Sequence, residues 1–205
     1  MQKMFNEKTN GRLRLLNGLH EIAEDSSTVL FIRHGDRNNI PDGEFGNEIE
    51  LNEVGILRSH EYGKALASKK INKIYTSPVT RCVQTAELIA RGTGKEARVE
   101  QSSLLGQPGA FIYDEIAAGN SFMQMGANLL FERLLAGIRV EGNYPIVDGA
   151  TTLSEFFQKE TGQPGISIYV SHDLIIALYA YATFQKKYTI GSEWINYLDG
   201  LIIQL

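Results

Sequence analysis

The chain has 205 residues, 43% of them apolar and 21% charged, which suits one folded domain with a full core and excludes a disordered chain. Its net charge of -4 excludes a general attraction to nucleic acid or to an anionic membrane, although a local cationic pocket is still allowed. The single cysteine, Cys82, excludes an internal disulfide and a cysteine-built zinc site, and no run reaches the ~18 apolar residues of a membrane span. The first 25 residues are interrupted by charges and lack a signal-peptide core, so a cytoplasmic location is expected.

In chain order, Leu13, Leu16, Leu19, Ile22 and Ala23 recur at helical spacing and predict an amphipathic helix over 12–24. Thr28–Ile32 is a buried strand that stops abruptly at Arg33-His34-Gly35-Asp36-Arg37. A polar stretch leads to Asn52, a plausible N-cap, and to a helix whose apolar face is Val54, Leu57, Tyr62, Ala65 and Leu66. Ile71–Tyr75 reads as a second strand closed by Thr76-Ser77-Pro78. Ser77 suits an N-cap and Pro78 the first turn of a helix that carries Arg81 and stops at Gly92-Thr93-Gly94. A short third strand is expected at Val99.

Residues 101–149 break this rhythm with repeated glycines around two helix-like runs, "AFIYDEIA" and "NLLFERLLAGI", and are expected to form a cap inserted into a single domain spanning 1–205. A helix over 151–160, a strand "GISIYV", the cluster Ser171-His172-Asp173, a buried helix "LIIALYAYATF" and a terminal strand "GLIIQL" complete the chain. Strands alternating with helices predict an α/β sandwich around a mostly parallel sheet. In such folds the functional crevice lies beyond the carboxyl ends of the strands. Three strands here end in polar clusters, so Arg33, His34, Arg37, Arg81, His172 and Asp173 are expected on one sheet edge.

That set suits a phosphoryl group. Arginine's planar fork matches phosphate oxygens in pairs, and its charge does not titrate away. The carboxylates that would hold magnesium and the third histidine of a catalytic zinc are lacking in it, so no metal and no cofactor are expected. A neutral imidazole is a competent nucleophile near neutral pH. A protonated Asp173 beside His172 would supply a leaving alkoxide with its proton.

The segments "RHGDR", "LNEVGILRSHEYGKAL", "IYTSPVTRCVQTAELIA" and "VSHDLIIALYAYA" together resemble the histidine phosphatase superfamily, the phosphoglycerate mutase-like and acid-phosphatase-like enzymes. The resemblance covers roughly Thr28–Ala90 and Gly165–Ala182. It implies a three-layer α/β/α sandwich of phosphoglycerate mutase-like type with a small cap. It also implies a metal-independent phosphatase acting on a phosphomonoester through a phosphohistidine at His34. Arg33, Arg37, Arg81 and His172 would form the phosphate pocket, and Asp173 would be the acid and then the base. Gly35 matches a glycine that lets the backbone approach closely. A phosphomutase and a non-catalytic phosphoryl-binding regulator are the alternatives.

Two departures from the family pattern stand out. Gly106 or Gln107 occupies the position of the mutase-like glutamate, and Asn39 replaces a proline, with Pro41 two further on. Asp114 and Glu115 are fallback proton donors. Residues 101–150 hold only Arg133 and Arg139 as basic residues, so the expected small-molecule substrate has one or two phosphates and some apolar or sugar character. Neither nucleic acid nor membrane is expected as a partner, and an oligomer is left open.

The blander reading of Arg33 and Arg37, surface pairing with Asp36, Asp42 or Glu44, gives way to the four matched segments, while Cys82 is expected to be a small buried hydrophobe. His20 and His60 have no role, and Tyr179 and Tyr181 are core aromatics. Phe111, Tyr113, Phe122, Met123 and Met125 are expected to pack on the core, with roofing the pocket or forming a subunit contact as the alternatives.

Overall fold

The computed structural model describes residues 15, 18, 25–41, 43–95 and 97–205. Of the helix expected over 12–24, only Leu15 and Gly18 are described, both helical; His20 and Asp42 lie outside the described residues.

The strands are β1 (Ser27–Arg33), β2 (Ile71–Thr76), β3 (Val99–Gln101), β4 (Gly165–Ser171) and β5 (Gly200–Gln204). They form one sheet in the order β3-β2-β4-β1-β5. All neighbours are parallel except β5, which runs antiparallel to β1 and closes one edge. Every residue of β4 is buried, as a central parallel strand covered on both faces requires.

Side chains alternate across the pleat, so β1 feeds two cores. Val29 and Phe31 join a cluster with Leu130, Leu153, Phe157 and Tyr179, whereas Leu30 and Ile32 join Tyr62, Leu66, Ala86 and Ile89. The first core lies under α3 (Glu115–Leu135), α4 (Ile146–Glu160) and α5 (Asp173–Phe184). The second lies under α1 (Glu53–Ala65) and α2 (Thr80–Gly92). This is the expected α/β/α sandwich. Among the described residues, no helix is long and apolar enough to cross a membrane.

Several local expectations are corrected. Asn52 caps α1 by accepting from Gly55 N, but the buried face is Gly55, Ser59, Tyr62 and Gly63, while Val54 and Leu57 are 52% and 62% exposed. The reason is close approach: a Cβ at Gly63 would run into the Ile89 carbonyl and the Gly92 Cα of α2, so small residues make this interface and large ones face outward.

Helix α2 starts at Thr80 because Val79 is extended, and Ser77 and Pro78 lie before it. Of the two helix-like runs, Ala110–Asp114 is irregular, and α3 extends from Glu115 to Leu135 with a break at Gly126, whose φ is 71°. Helix α4 begins five residues early, directly after Pro145. Gly149, read as part of a glycine-rich break, lies within it against the Phe111 ring. Phe111 is in the core, Phe122 and Met125 pack beside it, and Tyr113 and Met123 are exposed. Tyr179 is buried, whereas Tyr181 is only half-buried.

Candidate active site

The sheet register brings three strand ends together. Arg33 pairs with Ser171 across β1 and β4, and Thr76 pairs with Val170 across β2 and β4. The next residues continue the alignment: His34 N donates to Ser171 O at 3.0 Å and Ser77 N donates to Val170 O at 3.0 Å. Arg33, His34, Ser77, His172 and Asp173 thus emerge side by side at the carboxyl edge, and Arg81 reaches them from the first turn of α2.

His34 is 2% exposed. Its Nδ1 lies 2.8 Å from Gly35 O, which assigns the ring proton to Nδ1 and leaves a lone pair on Nε2. Arg81 Nε donates to that Nε2 at 3.0 Å, while Arg81 Nη1 donates to Gly46 O at 2.6 Å. His172 Nδ1 lies 3.4 Å from Arg81 Nη2, and its Nε2 lies 3.1 Å from Ser77 Oγ. The two imidazole rings are 5.5 Å apart.

Burial, then the His172 and Arg81 charges, hold His34 well below the usual histidine range, against the opposing hydrogen bond to Gly35. Burial and the Arg81 guanidinium push His172 down to about 3. Both rings are therefore neutral at neutral pH, and a neutral ring is the nucleophilic form.

Two close packings shape the loop. Gly35 N donates to Thr85 Oγ1 at 2.9 Å, tying the loop to α2. A Cβ on Gly35 would stand 2.6 Å from Ser59 Oγ, so glycine is required by the approach of α1; its φ is not positive, and dihedral freedom is not the reason. Asp36 pairs with neither site arginine but with Arg58, whose Nη1 lies 3.0 and 2.9 Å from its two carboxylate oxygens.

Asp173 heads α5. Its Oδ1 accepts from Leu174 N at 2.8 Å, and its Oδ2 faces Arg33 Nη2 at 2.8 Å and Trp194 Nε1 at 3.0 Å. Arg33 also donates to Ile195 O at 2.6 Å and lies over the Tyr197 ring, 4.1 Å from its centroid. Arg37 donates to Asn38 O at 2.7 Å, and its charge acts on both Arg81 and His172. The Nε atoms of Arg33 and Arg37 are buried without a protein acceptor, as is that of Arg133 outside this cluster. Cys82 is a buried free thiol, pushed up to about 12 by its burial.

Residues 29–104 match the family model described as histidine phosphatase superfamily (branch 1). The resemblance to the histidine phosphatase superfamily holds. The matched stretch includes Arg33, His34, Arg37 and Arg81 and ends before His172 and Asp173.

Solved structures of similar fold include a mycobacterial glucosyl-3-phosphoglycerate phosphatase, at 19% identity and TM-score 0.54 over 78% of this chain and 81% of that one. A phosphoglycerate mutase from Bacillus anthracis aligns at 18% identity and TM-score 0.54 over 87% and 92%. A phosphoserine phosphatase from Entamoeba histolytica, solved with 3-phosphoglyceric acid, aligns at 18% identity and TM-score 0.52 over 78% and 81%. Among curated proteins, none matches the sequence. The superfamily fold is therefore shared with phosphatases and mutases alike.

The mutase-like acid position is also resolved in space. Gly106 lies against the His172 ring, and Gln107 follows it with a φ of 61°. Neither carries a carboxylate. Asp114 is exposed and caps α3 by accepting from Ala117 N at 3.1 Å, and Glu115 is exposed in the first turn.

Sequence reasoning passed over Thr85, Arg58 and the segment Trp194–Tyr197, and read Ser77 only as a cap. A signal existed for Trp194–Tyr197: the chain's only tryptophan stands in a connection between helix and strand, where a large aromatic needs a reason.

Proposed function

We propose that this protein is a metal-independent phosphatase that hydrolyses a phosphomonoester through a phosphohistidine at His34. The observation that carries this reading is the commitment of His34 Nδ1 to Gly35 O, which aims the unprotonated Nε2 at the Arg81 guanidinium.

In this mechanism His34 Nε2 attacks phosphorus, and the P–O ester bond breaks as the P–N bond forms. Arg33, Arg37 and Arg81 balance the charge on the transferring phosphoryl group, which needs positioning and charge more than covalent help. Asp173 gives its proton to the leaving oxygen. It then takes one from the water that breaks the P–N bond, releasing inorganic phosphate and free His34. Since Arg33 Nη2 faces Asp173 Oδ2, substrate phosphate must draw Arg33 away before that oxygen carries a proton.

His172, neutral and hydrogen-bonded to Ser77, offers a further contact to phosphate. The mutase reading loses support at Gly106, which puts no acid beside the site. Residues 101–149 would serve as the cap that selects the leaving group. Phe45, 3.2 Å from the Gly119 Cβ position and 6.0 Å from the Phe122 ring, links that segment to the loop held by Arg81. A substrate with one or two phosphates and an apolar or sugar body fits this setting. The buried free thiol of Cys82 fits a cytoplasmic one.

The test is phosphate release from a panel of phosphomonoesters in chelator, for the wild type and His34→Ala. Turnover in the wild type alone, with an acid-labile phosphoryl adduct, supports the reading. Turnover that survives in His34→Ala, or that disappears with chelator, overturns it. Binding without turnover across the panel favours a regulator.

A further inference from the structure

Beyond the strand-end clusters, one connecting segment converges on the site. Between α5 and β5, Trp194 Nε1 donates to Asp173 Oδ2 at 3.0 Å, and Ile195 O accepts from Arg33 Nη1 at 2.6 Å. Tyr197 stacks under the Arg33 guanidinium at 4.1 Å, with its ring 5.7 Å from that of His34. Leu198 N then donates to Arg33 O at 3.2 Å.

Leu198 is buried with a φ of 60°, a left-handed conformation that a leucine keeps only where its surroundings impose it. Trp194 itself is held edge-on against Phe131 of α3, with centroids 5.2 Å apart. The segment is thus anchored at both ends, and its side-chain contacts include Arg33 and Asp173, while Leu198 N also reaches His34 O at 3.4 Å.

We propose that Trp194 is a positioning residue for Asp173: its indole N–H fixes Oδ2 in the orientation from which the leaving oxygen is protonated. Two of the three donors on Asp173 come from its surroundings in the site rather than from its own helix, and they are not equivalent. Arg33 is a phosphate clamp that substrate recruits. Trp194 is uncharged, offers a phosphate only a single N–H, and is locked by Phe131, so it holds Asp173 when Arg33 turns to substrate. Losing it leaves nucleophile and phosphate clamps in place but lets the carboxyl rotate about its own bonds.

This inference rests on the proposed function, in which Asp173 is the acid. Its signature is a leaving-group effect. In Trp194→Phe, kcat/KM on a simple alkyl phosphate, which reports the step that expels the leaving group, should fall about tenfold, a part of the ~10²–10⁴ that a general acid supplies. On p-nitrophenyl phosphate, whose leaving group needs little protonation, kcat/KM should change less than about threefold.

Asp173→Asn separates the two readings. If Asp173→Asn lowers kcat/KM equally for both esters, the acid assignment itself fails and this inference falls with it. If Asp173→Asn discriminates in kcat/KM but Trp194→Phe lowers it equally for both or for neither, the acid assignment stands and the inference is overturned. Trp194→Gln keeps an N–H donor without the ring and covers the case in which Trp194→Phe does not fold. An alkyl-to-aryl rate ratio near that of the wild type supports the proposal, and a ratio like that of Asp173→Asn overturns it.

Discussion

Gly106 gives His172 its place: a Cβ built at Gly106 would stand 2.6 Å from both Cδ2 and Nε2 of the imidazole and 2.7 Å from Ser77 Oγ. The glycine also has a φ of 145°, which L side chains rarely adopt. Gly106, one of the two positions where the family resemblance leads one to expect a mutase-type acid, is therefore also the one that lets the second histidine reach Ser77.

Gly106→Ala is expected to fold and to lose activity. The ring has to move away from Ser77, so kcat should fall at least tenfold, about 1.4 kcal/mol in the barrier. Inorganic phosphate should also bind more weakly. Steady-state kinetics and phosphate inhibition check both. Unchanged activity would remove His172 from the phosphate pocket.

Arg81 makes three directed contacts, to His34, to Gly46 O and to His172. A lysine keeps the charge but has no planar fork to divide among them. Arg81→Lys should lower kcat by about 10²–10³-fold, the cost typical of losing one donor to developing charge. A rate within a few-fold of the wild type would show that charge alone suffices.

Acid should weaken the fold through the site. His172 titrates near an ordinary 6.5 when unfolded and at about 3 when folded. Between those values the unfolded state binds more protons, so stability is complete above about pH 6.5 and declines as pH falls toward 3. The slope from this group is up to about 1.4 kcal/mol per pH unit. His34, also pushed down, adds in the same direction. Urea midpoints from pH 7 to 4 should fall, and less steeply in His172→Asn; parallel curves for the two proteins would contradict this assignment.

Gly63 and Gly92 bring α1 and α2 into backbone contact. Gly63→Ala should destabilise the protein by about 1–3 kcal/mol through overpacking. Urea unfolding should show a lower midpoint with an unchanged slope; a midpoint equal to that of the wild type would contradict this packing.

The amino-acid sequence by itself determined the strands, their alternation with helices and the polar clusters at their ends. These follow from local periodicity and from ionisable residues placed where an apolar run stops. Arg33, His34, Arg81, His172 and Asp173 were legible for that reason. Tertiary structure alone decided which face of α1 is buried, because a Gly-Ser-Gly face reads as poor in hydrophobicity until a second helix is laid against it. It alone decided that Asp36 belongs to Arg58, and that Ser77 serves His172 instead of ending as a helix cap. It alone brought Trp194 and Tyr197 beneath Asp173 and Arg33, across 21 and 164 residues of chain. Contacts of that kind have no period in the sequence, since they arise from where a loop is carried by the strands and helices at its ends.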